Sequence, residues 1–213
     1  LPLIRKVAKT KKPIIISTGM ANLDEIELAY KTAKKYGSKD ITLLYCVSNY
    51  PSKFEDFNLN NISILKEKFK CKVGLSDHST DNKVAIGAVA LGAEVIEKHI
   101  ALDNQKKGLD IKFSLKGKEI LKFKNDLLET YFMSNKNFFY RSSSEKKNLF
   151  LRRSIFAIKQ IKKGEKFNTE NIKCLRPSIG VSPKYFKKIL NKKSIKTYNK
   201  GDPIKIREIR GLI

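Results

Sequence analysis

The sequence is poor in several features that would otherwise assign a class. Three cysteines (Cys46, Cys71, Cys174) occur with no CxxC spacing and in odd number. That argues against a disulfide framework or a cysteine metal site and fits a reducing cytoplasm. No run approaches the roughly 18 consecutive apolar residues of a membrane-crossing helix. The opening Leu1-Pro2-Leu3-Ile4-Arg5-Lys6 has no charged region ahead of an apolar core, so no signal peptide is expected. An initiator Met is missing, which points to a fragment. Walker, GxGxxG, GxSxG and HExxH motifs are all absent, which lowers kinase, dehydrogenase, serine-hydrolase and zincin readings. Arginine is scarce: seven of the 45 basic residues, against 38 lysines. The formal charge of +24 would suit a nucleic-acid binder. However, the lysines are spread along the chain, without clustered Arg and interleaved aromatics, and Ile and Asn are abundant too. The charge therefore reads as compositional bias, and neither a nucleic-acid nor a membrane partner is expected. A basic nucleic-acid- or glycan-binding module stays as the alternative from another class.

What is present is a packed core and a repeating theme. Hydrophobic residues make up 41% of the 213, enough for a folded chain. From 13 to 133, short apolar runs end in polar residues and lead into amphipathic segments. Ile14-Ile15-Ile16 runs into Ser17-Thr18-Gly19, and Asn22 then caps a helix from Leu23 to about Tyr36. Ile41 to Tyr45 runs into Cys46-Val47-Ser48-Asn49-Tyr50-Pro51, followed by a helix from about Leu59 to Lys68. Val73-Gly74-Leu75 runs into Ser76-Asp77-His78-Ser79, with a helix from about Lys83 to Leu91. Val95-Ile96 runs into Glu97-Lys98-His99, and a last helix covers about Lys116 to Phe132. Alternation of this kind predicts parallel βα units, four of them. The polar residues gather at the C-terminal strand ends, the ligand face of barrels and open α/β sheets. Residues 134–150 read as a linker. Beyond it, short β-type runs alternate with turns such as Lys163-Gly164-Glu165 and Lys200-Gly201-Asp202-Pro203, with a short helix from Val181 to Leu190 opened by Ser182-Pro183. This second domain, about 60 residues, is small enough to be marginal alone.

The chain has only two histidines, His78 and His99, 21 residues apart and ending successive strands. About one βα unit separates them, so both side chains project into one mouth and are candidates for a shared divalent metal. The alternative is a pair satisfied by hydrogen bonds to neighbouring loops. Glu97 lies two residues before His99, so alternation puts both on one side; it could ligate the metal or orient a ligand. Asp77 points the other way, and a structural role suits it equally. Asp110, 11 residues past His99, sits in a loop with Gly108. Glu97 and Asp110 are the candidate catalytic carboxylates. The hydroxyls of Ser17, Thr18, Ser48 and Ser76 could together rim an oxyanion site, although each alone suits a strand-end cap.

Ser17-Thr18-Gly19-Met20, Cys46 to Pro51, Gly74 to Ser79 and Val95 to His99 resemble four successive motifs of the sialic-acid synthases. Arg153-Ser154-Ile155, Ile161 to Glu165 and Arg176-Pro177 resemble that family's antifreeze-like (SAF) domain. The resemblance covers nearly the whole chain, in order. It implies an α/β fold: the C-terminal half of a TIM (β/α)8 barrel over residues 1–133, the linker at 134–150, and a small mostly-β SAF domain over 151–213. It implies a phosphoenolpyruvate-dependent transferase that joins this substrate to an N-acetylated amino sugar, giving a nine-carbon sialic-acid-like sugar and phosphate. By resemblance, His78 and His99 bind Mn2+ or Mg2+, Ser17 and Ser76 contact phosphoenolpyruvate, and Tyr50 and Asp110 lie on the sugar side. Arg176 is implied to reach the acetamido group from a cap that covers the barrel of a homodimer partner. Arg176 to Phe186 and Lys112 to Leu115 look closer to pseudaminic acid synthases, with N-acetylneuraminate and legionaminate synthases as the alternative. Leu109 and Lys116-Gly117 depart from the usual pattern beside Asp110. The family barrel has eight strands and its other half carries an acidic residue and lysines, so the chain alone is expected to be inactive.

Overall fold

Four runs of β-branched and leucine residues become the four strands β1 (Ile14–Ser17), β2 (Ile41–Cys46), β3 (Lys72–Asp77) and β4 (Val95–Lys98). In the computed structural model, which describes residues 1–134 and 139–209, they form one parallel sheet in the order β1-β2-β3-β4. Parallel pairing needs a crossover each time. The crossovers are helices α2 (Leu23–Lys35), α3 (Asn60–Phe69) and α4 (Lys83–Ala90), with α5 (Lys118–Ser134) after β4. Helix α1 (Pro2–Ala8), unforeseen in the sequence reading, opens with Pro at its first turn, where no intrahelical N–H is lost.

Helix α2 starts where Asn22 requires. Its side chain accepts from the Glu25 N–H at 2.9 Å, and the Glu25 carboxylate accepts from the Asn22 N–H at 2.8 Å. This reciprocal cap satisfies two orphan donors of the first turn.

Side chains paired across a parallel ladder share a face, and that face alternates along each strand. Ile14, Ile41, Leu43, Tyr45, Val73 and Leu75 point to the helices and form the core with Ile26, Ile62, Leu65, Val84, Ala85 and Phe123. The opposite face begins with Ile15, 58% exposed, and continues through the row Ser17–Leu44–Gly74–Val95. A parallel half-barrel sheet of a (β/α) fold is thus what the alternating pattern builds. Glycine is required at 74: a Cβ there would sit 2.1 Å from the Val95 carbonyl oxygen and 2.7 Å from Leu44 Cδ2.

The chain divides into two compact units, Leu1–Phe138 and Phe139–Ile213. Part of the stretch read as a linker, 135–138, lies outside the described residues, as do 210–213 of the second domain. Within the rest of the linker stretch, Ser142 and Glu145 form a second reciprocal cap and start a short helix, α6 (Ser143–Lys147). Its Ser-x-x-Glu spacing is a local helix-start signal inside the stretch expected to be a linker. In the second unit, β7 (Ser154–Ala157) pairs antiparallel with β8 (Ile172–Leu175) over a core that includes Ile155, Phe167, Ile172, Tyr198 and Ile204. A 3-10 turn, Pro183–Tyr185, and the short helix α7 (Phe186–Ile189) occupy the segment expected to be helical. Asn168 and Asn171 cap a short turn together: Asn168 accepts from the Glu170 and Asn171 N–H groups, and Asn171 Oδ1 accepts from the Asn168 N–H.

Gly74→Ala is expected to destabilise the chain by about 2–3 kcal/mol, because backbone cannot move aside as a flexible side chain can. A urea midpoint equal to that of the parent would contradict this account of the β2–β3–β4 packing.

Candidate active site

The last row on the face away from the helices, with members from β2, β3 and β4, is Cys46–Ser76–Glu97. Ser76 is buried, and its hydroxyl donates to Glu97 Oε1 at 2.7 Å. One step beyond the ladder lie Ser48, His78 and His99. The His78 and His99 ring centres are 5.3 Å apart, with the planes at 70°. Buried His78 has Nδ1 3.0 Å from the Val47 carbonyl oxygen. A carbonyl only accepts, so Nδ1 carries the proton and, in the neutral ring, Nε2 offers its lone pair. His99 is more open, and its Nδ1 lies 3.5 Å from Asp110 Oδ2. Each backbone carbonyl is tied: His78 accepts from the Ser52 N–H at 3.0 Å, and His99 from the Leu115 N–H at 2.9 Å.

This donor set can be tested against a divalent metal. A metal about 2.1 Å from one nitrogen of each imidazole sets the ring centres about 5 Å apart, which the observed spacing matches. The bond from Nδ1 to a backbone carbonyl also fixes a metal-binding tautomer. Among the described residues no group of three or more His, Cys, Asp or Glu is gathered closely enough to hold a metal. The pair would supply two ligands of such a metal.

Two aromatic rings border the histidines. Tyr50 lies over His78, ring centres 4.2 Å apart. Its phenol is held above the ordinary value, chiefly by desolvation and further by Cys46, Asp110 and Glu97, so it stays a neutral donor near pH 7. Phe113 sits 5.1 Å from the His99 ring and 5.7 Å from Tyr50, and is only 4% exposed. It belongs to a 3-10 turn, Ile111–Phe113, in a loop between two short paired strands, β5 (Ile100–Ala101) and β6 (Leu115–Lys116). The Ser114 hydroxyl donates to the Asp110 carbonyl at 2.7 Å. Loop departure and return are thus both fixed beside His99, and that brings Asp110 to it.

The structure therefore gathers Ser76, Glu97, His78, His99, Tyr50 and Asp110. Ser48 joins through Cys46, whose sulfur is 3.8 Å from its Oγ and 3.9 Å from His78 Nδ1. Ser17 ends β1 on the same face, one row back. Thr18 does not reach the rim: it is buried and its hydroxyl donates to the Leu44 carbonyl at 3.0 Å. Arg176 is an exposed residue of the second unit, just past β8, and precedes Pro177 through a cis peptide bond. Glu170, an acidic residue six positions before Arg176, lies 3.7 Å from Lys159. Phe113 had no role assigned from the sequence, because its partners Tyr50, His78 and His99 come from other segments. The sequence also left open the part played by Asp77, which forms a buried ion pair with Lys98 at 2.7 Å.

The NeuB family model matches residues 1–136, and the SAF domain model matches 152–210. The chain belongs to the NeuB family. It is 41% identical over 202 residues to a pseudaminic acid synthase of Campylobacter jejuni, covering 95% of this chain and 59% of that protein. It is likewise 41% identical over 208 residues to an N,N'-diacetyllegionaminic acid synthase of the same species, covering 96% and 62%. A crystal structure of N-acetylneuraminic acid synthetase from Leptospira borgpetersenii, in complex with citrate, superposes with a TM-score of 0.65 at 34% identity, over 70% of this chain and 52% of that one. This NeuB-family chain thus spans about 60% of the length of the curated relatives it matches.

Phe113→Ala is expected to free the Asp110 loop without unfolding the sheet. Amide exchange at residues 110–114 should accelerate at least about tenfold while α2 is unaffected; unchanged exchange in the loop would show that Phe113 does not hold it.

Proposed function

We infer that this chain supplies the metal-binding and sugar-facing side of a cytoplasmic phosphoenolpyruvate-dependent nonulosonic acid synthase. The observation that carries the reading is the pair of histidines at matched strand ends, His78 with its tautomer set by Val47 and His99 beside Asp110. In the reaction, C3 of phosphoenolpyruvate attacks the aldehyde carbon of an N-acetylated amino sugar and a C–C bond forms. Water adds at C2, and the C2–O bond breaks to release phosphate. Mn2+ or Mg2+ held by His78 and His99 would polarise the aldehyde oxygen. Ser17, Ser48 and Ser76 hold phosphate or carboxylate oxygens of phosphoenolpyruvate, and Glu97 orients the Ser76 hydroxyl that it already accepts from. Asp110 and Tyr50 face the sugar. Asp110 is placed to take up or release a proton at a sugar hydroxyl, and the neutral Tyr50 phenol donates.

Arg176 serves as the cap contact to the acetamido oxygen, delivered by the SAF domain of a homodimer partner. The sugar favoured is the pseudaminic acid precursor, on the Arg176-Pro177-Ser178-Ile179 segment. The legionaminate alternative keeps its place because both types of relative are 41% identical to this chain.

The test is phosphate release by the full-length chain, with phosphoenolpyruvate, Mn2+ and each amino sugar in turn. Sugar-dependent release that chelation abolishes is expected. Arg176→Ala should raise the KM for the sugar about tenfold or more and leave that for phosphoenolpyruvate nearly unchanged, since a charged hydrogen bond is lost only on the sugar side. Release that ignores the sugar would overturn the assignment, and an unchanged sugar KM would make Arg176 a surface residue.

A further inference from the structure

The helix-facing side of the sheet is apolar except at one rung. Asp77 and Lys98 face each other as the last register pair of β3 and β4, and their side chains are 0% and 4% exposed. Two apolar residues would fill this position with less desolvation, since a buried ion pair seldom outperforms a well-packed hydrophobic pair in stability. The charges are, however, fully engaged. Lys98 Nζ donates to Asp77 Oδ2 at 2.7 Å, to the Ser79 carbonyl at 2.5 Å and, more weakly, to Ser79 Oγ at 3.4 Å. Asp77 Oδ1 accepts from the Ser79 N–H at 2.9 Å. Ser79 Oγ donates onward to the Asp81 carbonyl at 2.9 Å.

The connectivity is what gives the pair its meaning. Asp77 and Ser79 are the two chain neighbours of His78, and Lys98 is the residue immediately before His99. Both histidines stand one residue beyond the β3–β4 ladder, so that ladder no longer sets their spacing, and their carbonyls are tied to the Ser52 and Leu115 N–H groups instead. One ammonium group therefore grips both sides of the first histidine from the stem of the second. We propose that Asp77 and Lys98 are positioning residues that set the separation of the His78 and His99 rings for a shared divalent metal. They act through the backbone, from the face opposite the metal, and touch neither metal nor substrate. This rests on the metal reading of the two histidines given above.

The pair can be removed without leaving a lone buried charge. Asp77→Leu combined with Lys98→Met, in the full-length chain, replaces it by apolar groups of similar size and should keep the thermal midpoint and the near-UV circular dichroism. Mn2+ affinity, read by titration calorimetry without substrate, should fall at least about tenfold, the loss typical when groups behind metal ligands are removed. Lys98→Arg is the second variant. It retains the buried cation but cannot reproduce the three contacts, and it should also bind Mn2+ more weakly. A folded double variant, or a folded Lys98→Arg chain, with parental Mn2+ affinity would overturn the proposal. So would the unfolding of both, which would make the pair a determinant of the fold. Failure of the parent itself to bind Mn2+, or parental affinity in His78→Ala, would instead overturn the metal reading and this inference with it.

Discussion

The register between β3 and β4 governs the chemistry of this chain. With Gly74 opposite Val95, every second residue from Ser76 and Glu97 onward meets the exposed face, and every other one meets the helices. A slip of one residue on either strand would turn its histidine into the helical core and bring one half of the Asp77–Lys98 pair to the site. The close approach of Gly74 to the Val95 carbonyl oxygen and the ion pair at the last rung hold that register from its two ends. The histidines, Ser76 and Glu97 follow from it.

The site is also an electrostatic exception. The chain carries a formal charge of +24, yet the polar groups gathered with the histidines include the carboxylates of Glu97 and Asp110, a neutral tyrosine and small hydroxyls. The lysine nearest in sequence, Lys98, is turned away and neutralised by Asp77. Local carboxylates favour a cation between the two imidazoles, and the hydroxyls beside them are neutral.

Much of this was legible in the sequence, because alternation is a local property. Runs such as Ile41 to Tyr45 and the Asn22 cap predicted elements that the structure shows within a residue or two. The polar residues fell at one end of the strands, as a parallel sheet requires. The opposite orientations of Glu97 and Asp77 were also readable from the period of two. What could not be read was set by contacts distant in sequence. The partner of Asp77 is 21 residues away, and nothing local distinguishes Lys98 from 37 other lysines. Phe113 packs on rings from three separate segments, so its place depends on the loop path. Thr18 resembled Ser17 in sequence, but its N–H and hydroxyl both donate to the Leu44 carbonyl of the neighbouring strand. The Ser142–Glu145 cap was a local signal hidden among the Ser, Asn and Lys residues around it.

The claim on which the account rests is that one metal is shared by His78 and His99. Electron spin echo envelope modulation of Mn2+ bound to the full-length chain tests it directly. Nitrogen coupling from two imidazoles is predicted, with one coupling lost in His78→Ala and the other in His99→Ala. A Mn2+ spectrum with no imidazole nitrogen, or one that neither substitution changes, would contradict it.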